Sequence, residues 1–261
     1  PRWRRGMQPD GGCHYHGVSQ SLSSLLETPM RFLVTNDDGV HAPGIAILAE
    51  AVAQFGAATV IAPDEPASGC SHLVNTGRPL KLTEHGENRY SIDGSPADCA
   101  RVGALYLDTD ADWIVSGVNH GGNLGVDIFM SGTVAAVREA AWLGLPGIAF
   151  SQYRKTPGEF DWSKTGRWVS RVVEQLVEDE LPPGAFWNVN FPDLTDEGRE
   201  PQIVFCGLEY GHLQMEYHHE DGALHYRGVY HDRSRNPGSD VDVCFSGDIA
   251  VTQILPQTTA H

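Results

Sequence analysis

Short apolar runs ended by turns alternate along this chain with longer segments of helical period. Phe32-Leu33-Val34 runs into Asn36-Asp37-Asp38-Gly39, and Thr59-Val60-Ile61-Ala62 stops at Pro63-Asp64. Trp113 to Gly117, Gly147 to Phe150 and Trp187 to Phe191 repeat the pattern. Such runs are too continuous for half-exposed strands and fit strands buried on both faces. Between them, Ile45 to Phe55 places Ile45, Leu48, Ala49 and Val52 on one helical face. Ala97 to Leu107 and Thr133 to Leu143 also read as helices, and Lys164 to Glu178 carries Trp168, Val172, Val173 and Leu176 as its stripe. Leu80 to Leu82 and Arg89 to Ile92 read as short strands around a turn. This alternation predicts an α/β fold with a doubly wound, mostly parallel sheet and helices on both faces. Ligands of such sheets bind beyond the carboxyl ends of the strands.

After Pro192 the texture changes. Residues 203–232 alternate apolar and polar residues around Glu220-Asp221-Gly222, which predicts a β-hairpin carrying His212, His218, His219, His225 and His231. Gly238 to Leu255 reads as extended segments with a turn at Gly247-Asp248. A hairpin without a covering helix is an expected oligomer contact. Residues 1–29 do not share the pattern and are read as an N-terminal extension, a tag or a mobile tail. Residues 30–261 are read as a single domain, with 203–255 as its oligomerisation segments.

Composition narrows the function classes. With 261 residues and 41% hydrophobic content the chain can bury a sizeable core. A net charge of -16 argues against a nucleic-acid polymer as partner. A small anionic ligand is compatible with it if a cation lies between protein and phosphate. The five cysteines include no C-x-x-C pair, which disfavours a zinc site or disulfide framework and points to a reducing cytoplasm. The apolar runs fall short of a membrane span.

Four loops carry candidate chemistry. Asp37 and Asp38 can offer hard oxygen ligands to Mg2+ or Mn2+, although Asn-Asp-Asp-Gly is also good turn chemistry anywhere. Its place after the first strand favours the metal. Ser116-Gly117-Val118-Asn119-His120-Gly121-Gly122-Asn123-Leu124-Gly125 follows another strand and allows close backbone approach to a ligand. It lacks the Lys of a Walker-type loop, and a plain Gly-rich connector is the alternative. Ser131-Gly132-Thr133 opens the Ala-rich helix, where free N–H groups and hydroxyls suit an anion and Ser131 also suits an N-cap. Ser68, in the loop after the second strand, is either a hydroxyl ligand or a solvated serine. Asp98 is read as serving its helix start, and His41 and His120 as loop residues near the candidate site.

In this order the motifs closely resemble the SurE (survival protein E) family. They are Asn36-Asp37-Asp38-Gly39, Ala62-Pro63-Asp64 with Ser68-Gly69, Gly94-Ser95-Pro96-Ala97-Asp98-Cys99, Ser116 to Gly125, Ser131 to Ala136, Asn188 to Pro192 and Gly238 to Val241. The resemblance covers Met30 to Pro256. It implies a Rossmann-like core with a C-terminal β-hairpin extension, a homodimer or homotetramer, and a 5'/3'-nucleotidase acting on nucleoside monophosphates, with short polyphosphate as a further substrate. It also implies one divalent metal ion per subunit, Mg2+ or Mn2+, on positions matching Asp37, Asp38, Ser68 and Asn119. Asn36, Asn123, Ser131, Gly132 and Thr133 are expected near the phosphate, and Asp37 and Asp38 are the expected catalytic groups. Glu65-Pro66-Ala67 departs from the basic residues usual in the family at that loop.

Two other classes with related folds fit less well. A signalling receiver domain also has an acidic pair after its first strand. It needs a phospho-acceptor Asp after its third strand and a Lys after its fifth, where this chain has Asn119 and Gln152. A dinucleotide-dependent oxidoreductase needs its G-x-G-x-x-G turn where this chain has Asn36-Asp37-Asp38-Gly39.

Overall fold

A computed structural model describes residues 29–155, 158, 160–194, 199–212 and 215–256. Residues 1–28, on which the reading of an N-terminal extension falls, lie outside the described residues. The elements in chain order are β1 (Met30–Thr35), α1 (Pro43–Val52), β2 (Gly56–Pro63), β3 (Leu82–Gly86), β4 (Arg89–Ile92), α2 (Pro96–Val102) and β5 (Trp113–His120). They continue with α3 (Gly132–Trp142), β6 (Gly147–Gln152), α4 (Trp162–Leu176), β7 (Phe186–Phe191), β8 (Ile203–Phe205), β9 (Tyr217–Glu220), β10 (Ala223–Tyr226), α5 (Asp240–Phe245) and β11 (Ile249–Ile254).

Nine strands form one sheet in the order β3-β4-β2-β1-β5-β6-β7-β11-β8. The central pairs from β4 to β7 are parallel, while β3 and β11 pair antiparallel with their neighbours β4 and β7. The chain leaves β1 toward β2 and later returns to β1's other side with β5. The order therefore reverses between β1 and β5, and a crevice opens at their carboxyl ends, where such sheets bind ligands. Thr35 lies opposite Ser116 in that pair, so the Asn36–Gly39 turn and the Asn119 loop leave the sheet side by side.

Alternation along β1 explains the two layers. Phe32 and Val34 face a core shared with α1 and α4, including Leu48, Trp168 and Val172. Leu33 faces a second core with α2 and α3, including Cys99, Val134 and Val137. Both faces are sealed, and this is why the strands read as unbroken apolar runs.

Two expectations need correction. Residues 203–232 are not one hairpin. Ile203–Phe205 forms β8, which pairs parallel with β11 at the edge of the main sheet, and the hairpin is confined to β9 and β10. His218, His219 and His225 lie on it, whereas His212 and His231 lie outside it. The segment after Gly238 is not wholly extended either, because Asp240–Phe245 is the helix α5. Its β-branched residues suit a strand, but Ser239 caps the helix by accepting the Asp242 N–H, and Val241 and Cys244 are buried in a small third core. Burial and capping outweigh propensity there.

Candidate active site

The turn after β1 is built by Asn36. Its side chain is fully buried, donates from Nδ2 to the Gly39 carbonyl (3.0 Å) and accepts the Gly39 N–H on Oδ1 (3.1 Å). Gly39 has φ +97°, a conformation that favours glycine. The Asn36 amide is thus committed to the turn and fixes the residues between.

Asp37 is only 3% exposed. Its Oδ1 accepts a 2.5 Å hydrogen bond from Thr133 Oγ1, on the first turn of α3, and its carbonyl accepts the N–H of Ala67 (2.7 Å). Burial pushes the Asp37 carboxyl up to about 6, against the Thr133 hydrogen bond and with a smaller contribution from Asp38. Asp38 is half-buried and accepts the His120 N–H at 3.4 Å. Burial raises its carboxyl too, with the His120 side chain opposing the rise. Neither carboxylate forms a salt bridge among the described residues.

The start of α3 abuts Asp37. A Cβ added at Gly132 would sit 2.8 Å from Asp37 Cβ and 3.1 Å from Cys70 Sγ, so a larger residue would push the helix away from the carboxylate. Ser131 is the N-cap and accepts the Val134 N–H at 3.1 Å. The expected capping role is present, at the end of α3 that abuts Asp37. Ser68 is exposed in the loop after β2. Its neighbour Ala67 binds Asp37, while Ser71 N–H donates to the Met130 carbonyl (3.2 Å) and Ser71 Oγ to that of Phe129 (2.8 Å). This loop therefore bridges the β1 turn and the approach to α3.

The Gly-rich loop brings two asparagines with different fates. Asn119 is half-buried and donates from Nδ2 to the Gly121 carbonyl (2.9 Å), which turns its Oδ1 away from that bond. Asn123 is 7% exposed. Its N–H donates to Asn190 Oδ1 (2.8 Å), its carbonyl accepts from Asn188 Nδ2 (2.9 Å) and Asn190 Nδ2 (3.0 Å), and its own Nδ2 donates to Ser151 Oγ (2.8 Å). Asn123 is thus anchored beside the crevice by strands β6 and β7.

Several residues holding these loops were not singled out as site residues from the sequence. Asp127 is gripped by Arg233, whose Nη1 and Nη2 donate at 2.5 and 2.9 Å, and by Tyr230 Oη at 2.9 Å. Tyr230 Oη also lies 3.0 Å from the Gly122 carbonyl. Asp240 is fully buried and accepts the N–H groups of Gly125 (2.7 Å), Glu209 (2.8 Å) and Val241 (2.9 Å). The signal for Asn188 and Asn190 was visible: two amides with a spacing of two, on one face of an otherwise apolar strand. Arg233 gave no such signal, being 106 residues from Asp127. Asp98 does serve the start of α2, in a reciprocal capping box with Ser95.

Comparison with known proteins agrees with this architecture. The family model described as Survival protein SurE matches residues 32–214. The chain belongs to the SurE family. A protein of Nostoc sp. is 47% identical over 225 residues, covering 86% of this chain and 99% of its own length. The 5'-nucleotidase SurE of Nitrosococcus oceani is 38% identical over 241 residues, covering 89% of this chain and 94% of its own. The crystal structure of the SurE protein from Aquifex aeolicus superposes with a TM-score of 0.76 at 30% identity, covering 88% of this chain and 94% of that one. Among the described residues of this SurE chain, no helix is long and apolar enough to cross a membrane.

Proposed function

We propose that this SurE chain is a phosphoric monoester hydrolase, a 5'/3'-nucleotidase that splits nucleoside monophosphates into nucleoside and phosphate with one divalent ion, Mg2+ or Mn2+. The observation that carries the reading is the pair Asp37 and Asp38, half-buried or deeper at the switch point between β1 and β5, with no salt bridge among the described residues. Two adjacent carboxylates in that setting repel each other unless a cation joins them. The relatives' names, such as 5'-nucleotidase SurE, support the substrate class.

The donor chemistry fits a hard cation. Asp37, Asp38, Ser68 and Asn119 offer carboxylate, hydroxyl and amide oxygens. No three His, Cys, Asp or Glu side chains gather into a metal-sized group among the described residues. A set with two carboxylates and two neutral oxygens has no such trio. A divalent ion held there supplies positive charge against the phosphate and makes water more acidic. The remaining work belongs to the chain. Thr133 orients Asp37 through its hydroxyl. The N–H groups at the start of α3, with Ser131, Gly132 and Thr133, receive the phosphoryl oxygens as their charge redistributes. Asn36 keeps the acidic turn in shape from below, and Asn123 lines the phosphate side. Asp38, the more exposed acid, is suited to accept a proton from the attacking water.

Short polyphosphate, a phosphoanhydride chain ending in a terminal phosphate, is a second substrate for the same crevice. The β9–β10 hairpin, with Tyr217, Leu224 and Tyr226 exposed, is the surface assigned to a homodimer or homotetramer, and the cytoplasm is the assigned compartment. Phosphate release from AMP by the full chain tests the enzymatic reading. Release that stops in EDTA and returns with Mn2+ supports it; release unaffected by EDTA, or none with any nucleotide, refutes it.

A further inference from the structure

We infer that His120, Phe160 and Trp162 form an aromatic shelf that stacks the nucleobase of the substrate and so selects nucleotides over other phosphate monoesters. The inference rests on the nucleotidase reading above and adds the specificity element of the same site.

His120 directly follows Asn119, and its N–H reaches the Asp38 carboxylate at 3.4 Å. The ring is therefore one residue from the proposed metal ligands. It stacks on Phe160, with centroids 5.3 Å apart and planes 29° apart, and tilts against Trp162 at 4.9 Å. Phe160 and Trp162 meet at 5.1 Å. The Arg154 guanidinium lies 4.8 Å from the Phe160 ring centroid. Three contiguous rings, from the end of β5 and the entrance to α4, thus cluster around His120, whose backbone meets Asp38.

The shelf is not simply core. His120 is exposed, and Phe160 and Trp162 are half-buried, whereas core aromatics such as Phe32, Phe150 and Phe191 are fully buried. The inner edge is fixed: Trp162 packs against the core that holds α1 and α4. A rigid aromatic surface with one open face suits a flat π-system. Every base presents such a face, so stacking would bind all nucleoside monophosphates with modest base preference.

The test compares AMP with ribose 5-phosphate, which has the same phosphate ester and sugar but no base. Wild type is expected to favour AMP in kcat/KM by about tenfold, the order a single base–aromatic stack supplies. Phe160→Leu and, independently, His120→Leu are expected to bring that ratio close to one, whereas Phe160→Tyr keeps it. Circular dichroism confirms that each variant is folded, and the exposed His120 position provides a second variant should Phe160→Leu fold poorly. A wild-type ratio near one, or leucine variants that both retain the wild-type ratio, would overturn the shelf while leaving the nucleotidase reading intact. A wild type that releases phosphate from no nucleotide would instead overturn the nucleotidase reading itself.

Discussion

Asp37, in the turn after β1, and Asp127, in the 3-10 turn Gly125–Phe129 just before α3, are held in opposite ways. Asp127 receives Arg233 in a bidentate pair and Tyr230 as a further donor. Arg233 and Asp127 side chains are 6% and 15% exposed, so the pair is largely desolvated and mutually satisfied. Asp37 is more deeply buried yet, among the described residues, is held by the Thr133 hydroxyl and by backbone N–H groups rather than by a cation, with a second carboxylate next to it. Glu139 follows the Asp127 pattern, held by Arg101 (2.6 Å) and by His72 (2.6 Å). Asp127 and Glu139 are paired with cations, and the buried Asp240 and Asp98 are held by several N–H and side-chain donors, whereas Asp37 and Asp38 are adjacent carboxylates with no salt bridge among the described residues. The proposed divalent ion would supply the positive charge that this pair lacks.

Neutralising the side without a cation has the largest expected effect. Asp37→Asn retains the shape of the side chain and the Thr133 hydrogen bond but removes a charge. Phosphate release from AMP at saturating Mn2+ is expected to fall by on the order of 10³-fold, with the far-ultraviolet circular dichroism of wild type. Activity near wild type would place the chemistry elsewhere.

The paired side should fail by unfolding instead. Arg233→Ala strands Asp127 beside the Gly-rich loop and is expected to destabilise the fold by about 3 kcal/mol in urea denaturation. A change within about 0.5 kcal/mol would show that the pair is solvated and structurally idle.

A subtler consequence distinguishes the two regions by pH. The Asp37 carboxyl, 3.8 when solvated, titrates near 6 in the fold. The native state therefore holds this proton more tightly than the unfolded chain. Its penalty is absent below 3.8, grows as pH rises toward 6, and is complete above it. In EDTA at neutral pH, Asp37→Asn should consequently be more stable than wild type by about 3 kcal/mol. The gain should shrink as pH falls from 6 toward 4, and excess Mn2+ should reverse it because only wild type gains binding energy. Equal melting temperatures at neutral pH in EDTA would contradict the assigned burial cost.

The smallest effect concerns the hydroxyl that aims Asp37. Thr133→Val preserves volume and removes the donor, and kcat for AMP is expected to drop about tenfold, with stability changed by about 1 kcal/mol. An unchanged kcat would reduce the Thr133 contact to a structural tie between α3 and the β1 turn.

Much of this architecture was legible in the order of residues. Phe32-Leu33-Val34, Trp113 to Val115 and Gly147 to Phe150 are buried on both faces, so their apolar continuity identified them as inner parallel strands. The acidic turn was legible because loops at strand carboxyl ends converge in such sheets, and the β1–β5 reversal brings Asp38 to His120. Where the reading failed, long-range packing decided the outcome. Asp240–Phe245 is β-branched and alternating, yet a Ser239 cap and a buried face make it helical. Ile203–Phe205 carries no mark of its partner β11, more than forty residues away by register. Asn36 sits in the right motif, but the inward aim of its amide toward Gly39 is a property of the folded turn.

The central claim is that Asp37 and Asp38 are unpaired because they hold a divalent cation. Titration calorimetry of Mn2+ into the chelator-stripped full chain tests it directly, with Asp38→Asn as the paired sample. One ion bound per chain in wild type, and none at the same concentrations in Asp38→Asn, is the predicted result. Absence of binding in wild type, or equal binding in the variant, would contradict it.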